Sequence, residues 1–170
     1  MIAPTLTTAR LTLRMHTAAD FAPYADLFMS DRAKYMGQTA DRKAAWNLFC
    51  SDVAEWTFFG HGYWAIDLTE TGAFMGQVGF AKRSHFPEVE LGWFLFEEYG
   101  GKGYAEEAAI AARSWAYDNL GLDSLVSYIE PGNTRSIALA ERLGAHQDAA
   151  ATPPAKDVLV YRHPASEARR

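Results

Sequence analysis

Two carboxylates, Glu88 and Glu90, lie two residues apart in a stretch that alternates polar and bulky apolar side chains, as a β-strand does. Because strand side chains alternate between two faces, both share a face with Gly92, while Leu91 and Trp93 take the other. Carboxylates are rarely buried deeply, so we expect one of them to meet a water-filled cleft. A carboxylate there could act as a general base; the alternative is that both only solvate an exposed strand end.

A glycine-rich loop, Gly100-Gly101-Lys102-Gly103, follows this strand and precedes an alanine-rich helical run from Tyr104 to Tyr117. The first turn of a helix leaves backbone N–H groups unpaired, and the helix dipole makes that end positive. Glycines let the backbone come close to a bulky anion, and Lys102 adds a mobile charge. The loop therefore predicts a pyrophosphate site, although it matches neither GxxxxGK[ST] nor GxGxxG, and an ordinary tight turn is the alternative.

Three segments of the chain resemble, in this order, motifs of the GNAT superfamily of N-acetyltransferases, and most closely the branch of the Rim-type ribosomal-protein alanine acetyltransferases. They read ARLTLR (9–14), LGWFL followed by YGGKGYAEEA (91–95 and 99–108), and IEPGNTRS followed by AERLG (129–136 and 140–144). The resemblance implies the α+β GNAT fold in a single domain over residues 1–170. This fold is one mixed, mostly antiparallel sheet of six to seven strands, splayed centrally, with helices on both faces.

The resemblance also implies an acetyl-CoA-dependent N-acetyltransferase that moves the acetyl group directly to a primary amine in a ternary complex. A thioester is already activated, so the reaction needs no covalent enzyme intermediate and no metal. Lysine-like amines have a pKa of about 10 and N-terminal amines of about 8, so either must lose a proton near neutral pH. The leaving thiolate can take up a proton, and the oxyanion needs a fixed donor, for which a backbone N–H at a strand bulge is suited.

The family places a glutamate at the position of Glu90, where it acts through water as the base, and Glu88 is the alternative. Many members use a tyrosine to protonate the thiolate, but Ala140 stands at that place. Ser136 is then the implied substitute, unless it is only a polar residue in a helix first turn. Asn133 is an N-cap that also touches the pantetheine in the family pattern. The resemblance implies these cofactor-binding residues: Trp93, Phe94, Leu95, Gly101, Lys102, Gly103, Tyr104, Ala105, Asn133 and Ser136.

Two positions depart from the branch. Gly100 stands where tryptophan is common, which should loosen the loop, and Glu98 stands where many members have glutamine or arginine. We therefore expect the pyrophosphate to be bound by backbone groups, with Glu98 pointing outward. The acceptor stays open between a protein N-terminus and a small-molecule amine such as a polyamine, an amino-acid-like compound or an aminoglycoside. A module that senses acetyl-CoA without turnover is the alternative function.

Composition and charge restrict the number of domains, the classes of partner and the cellular location. The 170 residues are 49% hydrophobic and 22% charged, which suits one globular domain, and the net charge of −5 argues against a nucleic-acid partner. No apolar run reaches membrane-spanning length, and one cysteine, Cys50, excludes an internal disulfide, so we expect a cytoplasmic protein. Five Trp, eight Tyr and ten Phe predict aromatic surface that either forms a homodimer or lines the acceptor cleft.

Other elements must position these groups. Periodicity predicts strands at 9–15, 63–68, 74–80, 125–129 and 157–163, with glycines in 74–80 indicating bulges or close backbone approach. It also predicts a helix that starts at Thr17, a helix over 41–58, and a short helix from Asn133. In the 41–58 helix the predicted core residues are Trp46, Phe49, Cys50, Val53 and Trp56. His85 falls in a loop, either solvated or lining the acceptor pocket.

Overall fold

A computed structural model describes residues 2–164 as one eight-stranded sheet with four α-helices. The strands are β1 (Leu6–Thr7), β2 (Leu11–Arg14), β3 (Tyr63–Leu68), β4 (Ala73–Ala81), β5 (Glu90–Leu95), β6 (Val126–Ile129), β7 (His146–Gln147) and β8 (Leu159–Arg162). The helices are α1 (Phe21–Phe28), α2 (Arg42–Phe59), α3 (Tyr104–Asn119) and α4 (Thr134–Arg142). The predicted elements are confirmed with ends shifted by a few residues, and the two-residue strands β1 and β7 raise the strand number above the predicted six to seven.

The sheet is splayed beside its central strand. Its order is β1-β2-β3-β4-β5-β6-β8-β7, and only β5 and β6 run parallel. β5 pairs with β4 along its whole length, whereas its register with β6 consists of the single pair Glu90 and Val126. The two strands therefore diverge after Glu90, and the predicted mixed, mostly antiparallel, centrally splayed sheet is confirmed.

Alternation along β5 divides the core between the two faces of the sheet. Leu91 is fully buried in the cluster that contains the α3 alanines Ala108 and Ala112. Phe94 packs on the opposite face with Tyr24 of α1 and Phe49 of α2. Helices thus cover both faces, and β5 lies between two apolar layers.

Close backbone approach explains the glycines of β4. Gly79 has φ +158°, and a Cβ there would overlap the carbonyl oxygen of Gly62. A side chain at this position would push β4 away from the backbone at Gly62. The predicted close approach is confirmed at this strand.

Two core predictions for α2 are wrong: Cys50 is exposed, and Trp46 is 44% exposed. The buried stripe of the helix runs through Ala45, Phe49, Asp52, Glu55 and Trp56. It includes two carboxylates, which the hydrophobic pattern alone assigns to the solvent side. Counting only apolar residues therefore rotated the predicted core face toward Trp46 and Cys50.

None of the helices in the described range 2–164 is both long enough and apolar enough to cross a membrane.

Candidate active site

A cavity of about 450 Å³ lies at the splay, over the β5 face that carries Glu90. Residues from both predicted motifs line it, among them Glu90, Trp93, Asn133 and Ser136. His85 lies at its wall and is exposed, so both interpretations of this histidine hold in part. The cavity is therefore where a carboxyl on β5 and polar groups at the start of α4 can meet one bound molecule.

Glu90 lies in a poorly solvated environment. Burial raises the pKa of its carboxyl to about 7, and the neighbouring carboxylates of Asp52 and Glu55 add to the rise. The Tyr128 backbone and the charge of Arg83 act in the opposite direction on this pKa. A carboxyl that titrates near neutral pH can both accept and release a proton under ordinary conditions, which suits general-base catalysis.

Glu88 has a different environment. Both of its carboxylate oxygens accept hydrogen bonds from Arg162, at 2.8 and 2.9 Å, and this ion pair lowers the pKa of Glu88. Glu88 is also not among the residues that line the cavity. The fold thus gives different environments to the two glutamates, which in the sequence only the family resemblance ranked.

The glycine loop and the start of α3 leave room for an anion. Gly103 is the N-cap of α3 with φ +79°, and no side chain of the described residues caps this end. A Cβ at Gly101 would meet no atom within 4 Å. Lys102 donates from Nζ to the carbonyl of Glu98 at 3.0 Å, while the Glu98 side chain is exposed. The N–H groups of the first helical turn are therefore the donors that an anion would meet.

Arg10 fixes this loop from the other end of the sequence. Its Nη1 donates to the Lys102 carbonyl at 3.0 Å, and its Nε bonds Glu107 of α3 at 2.6 Å. The guanidinium also lies 4.5 Å from the centre of the Tyr104 ring. Sequence reasoning placed Arg10 in a motif but gave it no role, because its partners lie more than ninety residues away.

Alternate residues of β5 point their backbone N–H and C=O groups toward the splay, and the residues between them point toward β4. Leu91 accepts a hydrogen bond from Ser127 Oγ at 2.6 Å, and Leu95 has a 3.5 Å contact with Arg32. Trp93 has the same parity, so its N–H and C=O point to the splay, whereas those of Phe94 point to β4. The register between β4 and β5 is continuous. The expected strand bulge is therefore absent from this pair, and the splay itself supplies the free backbone donors.

The start of α4 faces the same space. Asn133 caps the helix, its Oδ1 accepting from the Ser136 N–H at 3.3 Å, as predicted. Ser136 lines the cavity, and among residues 2–164 its hydroxyl has no hydrogen-bond partner. Ala140 is fully buried, so the place of the family tyrosine is filled by packing.

A buried serine–histidine pair, which the sequence did not reveal, also borders the splay. Ser127 Oγ lies 2.9 Å from Nε2 of His163. Burial lowers the pKa of His163 to about 4, so the ring is neutral at pH 7. Because the serine hydroxyl donates to Leu91, the histidine must donate to the serine and cannot act as its base. The pair therefore joins β5, β6 and the end of β8 and provides no nucleophile.

The deep side of the cavity is polar, although the sequence reads as apolar core there. Asp52 is 2% exposed and accepts hydrogen bonds from Tyr24 at 2.8 Å, Gln77 at 3.1 Å and Arg83 at 2.6 Å. These residues come from α1, α2, β4 and the loop after β4, so no local pattern joins them. Asp52 can be recognised as a site residue only once the buried face of α2 is known.

Tyr63 also reaches the cavity. A Cβ on Gly92 would lie 2.7 Å from its hydroxyl, so the phenol occupies the space that this glycine leaves on β5. Burial and the charge of Glu90 raise the pKa of Tyr63 well above 10, so it stays a hydrogen-bond donor.

In the described part of the chain, no three His, Cys, Asp or Glu side chains cluster to hold a metal ion.

Comparison with known proteins identifies relatives. Residues 10–146 match the family described as the acetyltransferase (GNAT) domain. An acetyltransferase from Agrobacterium tumefaciens str. C58 is 48% identical and superposes with a TM-score of 0.92 over 96% of each chain. The uncharacterized protein YkkB of Bacillus subtilis (strain 168) is 30% identical over 105 residues, which span 61% of each chain.

RimL, a ribosomal L7/L12 alpha-N-protein acetyltransferase whose structure contains coenzyme A, is 14% identical and superposes with a TM-score of 0.75 over 94% of this chain and 97% of its own. At that identity the likeness is one of fold alone. The family predicted from the three motifs is confirmed, and Rim-type enzymes are among its structural neighbours.

Proposed function

Because this chain belongs to the GNAT acetyltransferase family, we propose that it transfers the acetyl group of acetyl-CoA directly to a primary amine in a ternary complex. The observation that carries the proposal is the position of Glu90, a carboxyl with a pKa of about 7 in a cavity at the splay of the sheet. A base of this pKa suits an amine that must lose its proton near neutral pH.

The residues present fit acetyl-CoA as a substrate. The backbone groups of Trp93 and the N–H of Leu95 would pair with the pantetheine like an added strand, and Phe94 would contribute only packing. The loop from Gly101 to Ala105 would hold the pyrophosphate through the uncapped start of α3. Asn133 and Ser136 would meet the pantetheine near the thioester.

Glu90 then manages the protons of the acceptor. Through water, it takes a proton from the ammonium, and the neutral nitrogen attacks the thioester carbonyl carbon. The new C–N bond forms, the C–S bond breaks, and the nitrogen loses its second proton while the thiolate gains one. The products are the amide, free coenzyme A and one released proton. Tyr63, which stays protonated, is suited to orient the acceptor beside Glu90.

Ser136 is the proposed donor to the thiolate, since its hydroxyl has no other partner among the described residues and Ala140 offers no proton. The same alanine, together with Gly100 in the glycine loop, keeps an acetyl-CoA sensor without turnover as the second candidate function.

The experiment that tests the proposal measures thiol release from acetyl-CoA with a mixed panel of amines, beside calorimetric binding of acetyl-CoA alone. Amine-dependent thiol release supports the transferase. Tight binding with no release above the amine-free rate for any amine would support the sensor instead.

The proposed acceptor is either a protein N-terminus or a small amine. The homodimer, the cytoplasmic location and the single domain over residues 1–170 stay predictions. Exposed Phe58 and Phe59, at the end of α2, are candidate dimer contacts, which light scattering would check.

A further inference from the structure

Arg83 brings a positive charge to the wall of the cavity that also holds Glu90. Its side chain is 25% exposed and contacts Asp52 through Nη2. This single hydrogen bond leaves its remaining N–H donors without a partner among residues 2–164. A guanidinium is always charged and offers paired donors that match a carboxylate.

Asp52 fixes the orientation of the Gln77 amide and the Arg83 side chain at this end of the cavity. A carboxylate only accepts hydrogen bonds, so Gln77 must present its amide nitrogen to Asp52. Oε1 of Gln77 is then buried without a partner in the described range, and Gln77 lines the same cavity. One buried aspartate thus holds a set of N–H donors on Arg83 and an unsatisfied acceptor on Gln77, next to a base on β5.

We propose that the acceptor carries a carboxylate beside its primary amine, that Arg83 binds the carboxylate, and that the amine lies between Glu90 and the carbonyl oxygen of Gln77. This inference rests on the proposed acetyl transfer and names the class of its acceptor: a free amino acid or a compound of that type. Arg83 and Glu90 line the same cavity of about 450 Å³, so one small molecule can contact both.

Charge argues against the other acceptors. A polyamine would bring its second ammonium to the arginine, where like charges repel. A peptide N-terminus has a neutral amide where an amino acid has its carboxylate, and its single carbonyl oxygen cannot give Arg83 the paired, charge-assisted hydrogen bonds of a carboxylate. The cavity volume of about 450 Å³ is also of small-ligand size.

The test compares matched acceptors with the unmodified enzyme: free α-amino acids, their primary amides, short peptides with the same first residue, and 1,4-diaminobutane. We expect kcat/KM for the best amino acid to exceed that of its amide, its peptide and the diamine at least tenfold. Equal or better use of the amide, peptide or diamine overturns the inference and leaves acetyl transfer intact. Failure of every amine to release thiol contradicts the proposed function, and the inference falls with it.

Variants then locate the effect. Arg83→Gln should lower kcat/KM for the amino acid at least tenfold and leave that for its amide within about twofold, which removes the preference. Arg83→Lys keeps the charge beside Asp52 and protects the fold, and we expect it to retain part of the preference. Arg42→Gln, at an exposed arginine on α2, is the matched control and should change neither value. An equal loss for amino acid and amide in both Arg83 variants would mean that Arg83 is only the counter-ion of Asp52.

Discussion

Arg162 binds both carboxylate oxygens of Glu88, at 2.8 and 2.9 Å, while Glu90, two residues later, lines the cavity. The two glutamates therefore lie in different surroundings, one in an ion pair and the other at the cavity. Arg162 also contacts Asp148, at 2.7 Å, so Glu88 belongs to an ion-pair group that joins the loop before β5 to β8. This leaves Glu90 as the glutamate of the pair that can exchange a proton with a bound acceptor.

The pKa of Glu90 predicts how the stability of the protein depends on pH. The folded pKa of about 7 lies above the ordinary 4.5, so burial favours the protonated carboxyl. The contribution of the protonated carboxyl to the free energy of unfolding is fully present below pH 4.5 and is lost as the pH rises through 7. The charged groups that act on Glu90 are Arg83, Asp52 and Glu55.

Glu90→Gln should consequently stabilise the fold at pH 8 relative to the parent protein, by up to roughly 3 kcal/mol, with a smaller effect at pH 5. Thermal unfolding of both proteins across this range measures the difference. A difference in melting temperature that stays constant from pH 5 to pH 8 would mean that Glu90 has an ordinary pKa.

Gly103→Val tests the pyrophosphate loop. Valine is strained at φ +79°, and its side chain would enter the approach to the first turn of α3, so acetyl-CoA affinity should fall at least tenfold. Gly72→Val is the control, since Gly72 has φ +71° in the β3–β4 hairpin, with open space around it. If calorimetry shows that both variants bind acetyl-CoA as tightly as the parent protein, the pyrophosphate does not bind at this loop.

Ser136→Ala tests the proton donor to the thiolate. Asn133 caps the backbone N–H of residue 136, so alanine keeps the cap and removes only the hydroxyl. We expect kcat to fall about 100-fold or more with acetyl-CoA binding little changed, since a general acid contributes about 10²- to 10⁴-fold. Thr134→Ala, at an exposed position in the same turn, should leave kcat unchanged. A normal kcat for both variants would assign Ser136 a structural role only.

Local chemistry explains which parts of the site could be predicted from the sequence. The β5–loop–α3 segment and the Asn133 cap depend on residues adjacent in the chain, so spacing alone reveals them. Arg10 and Arg83 act on partners 97 and 31 residues away, where a sequence pattern carries no signal. Asp52 was missed for the same reason that Cys50 and Trp46 were misplaced: the buried face of α2 contains carboxylates, and a hydrophobic count rotates away from them.

The central claim, that Glu90 is the base of an acetyl transfer, is tested most directly by pH–rate profiles of Glu90→Gln and Glu88→Gln with one working amine. For Glu90→Gln we predict that kcat falls by about 10²- to 10⁴-fold at pH 7, with unchanged acetyl-CoA binding and partial recovery at higher pH, where the amine is already neutral. Glu88→Gln should keep kcat within a few-fold of the parent value. A nearly normal kcat with a raised KM for Glu90→Gln would contradict the claim, because it would mean that Glu90 only holds the acceptor.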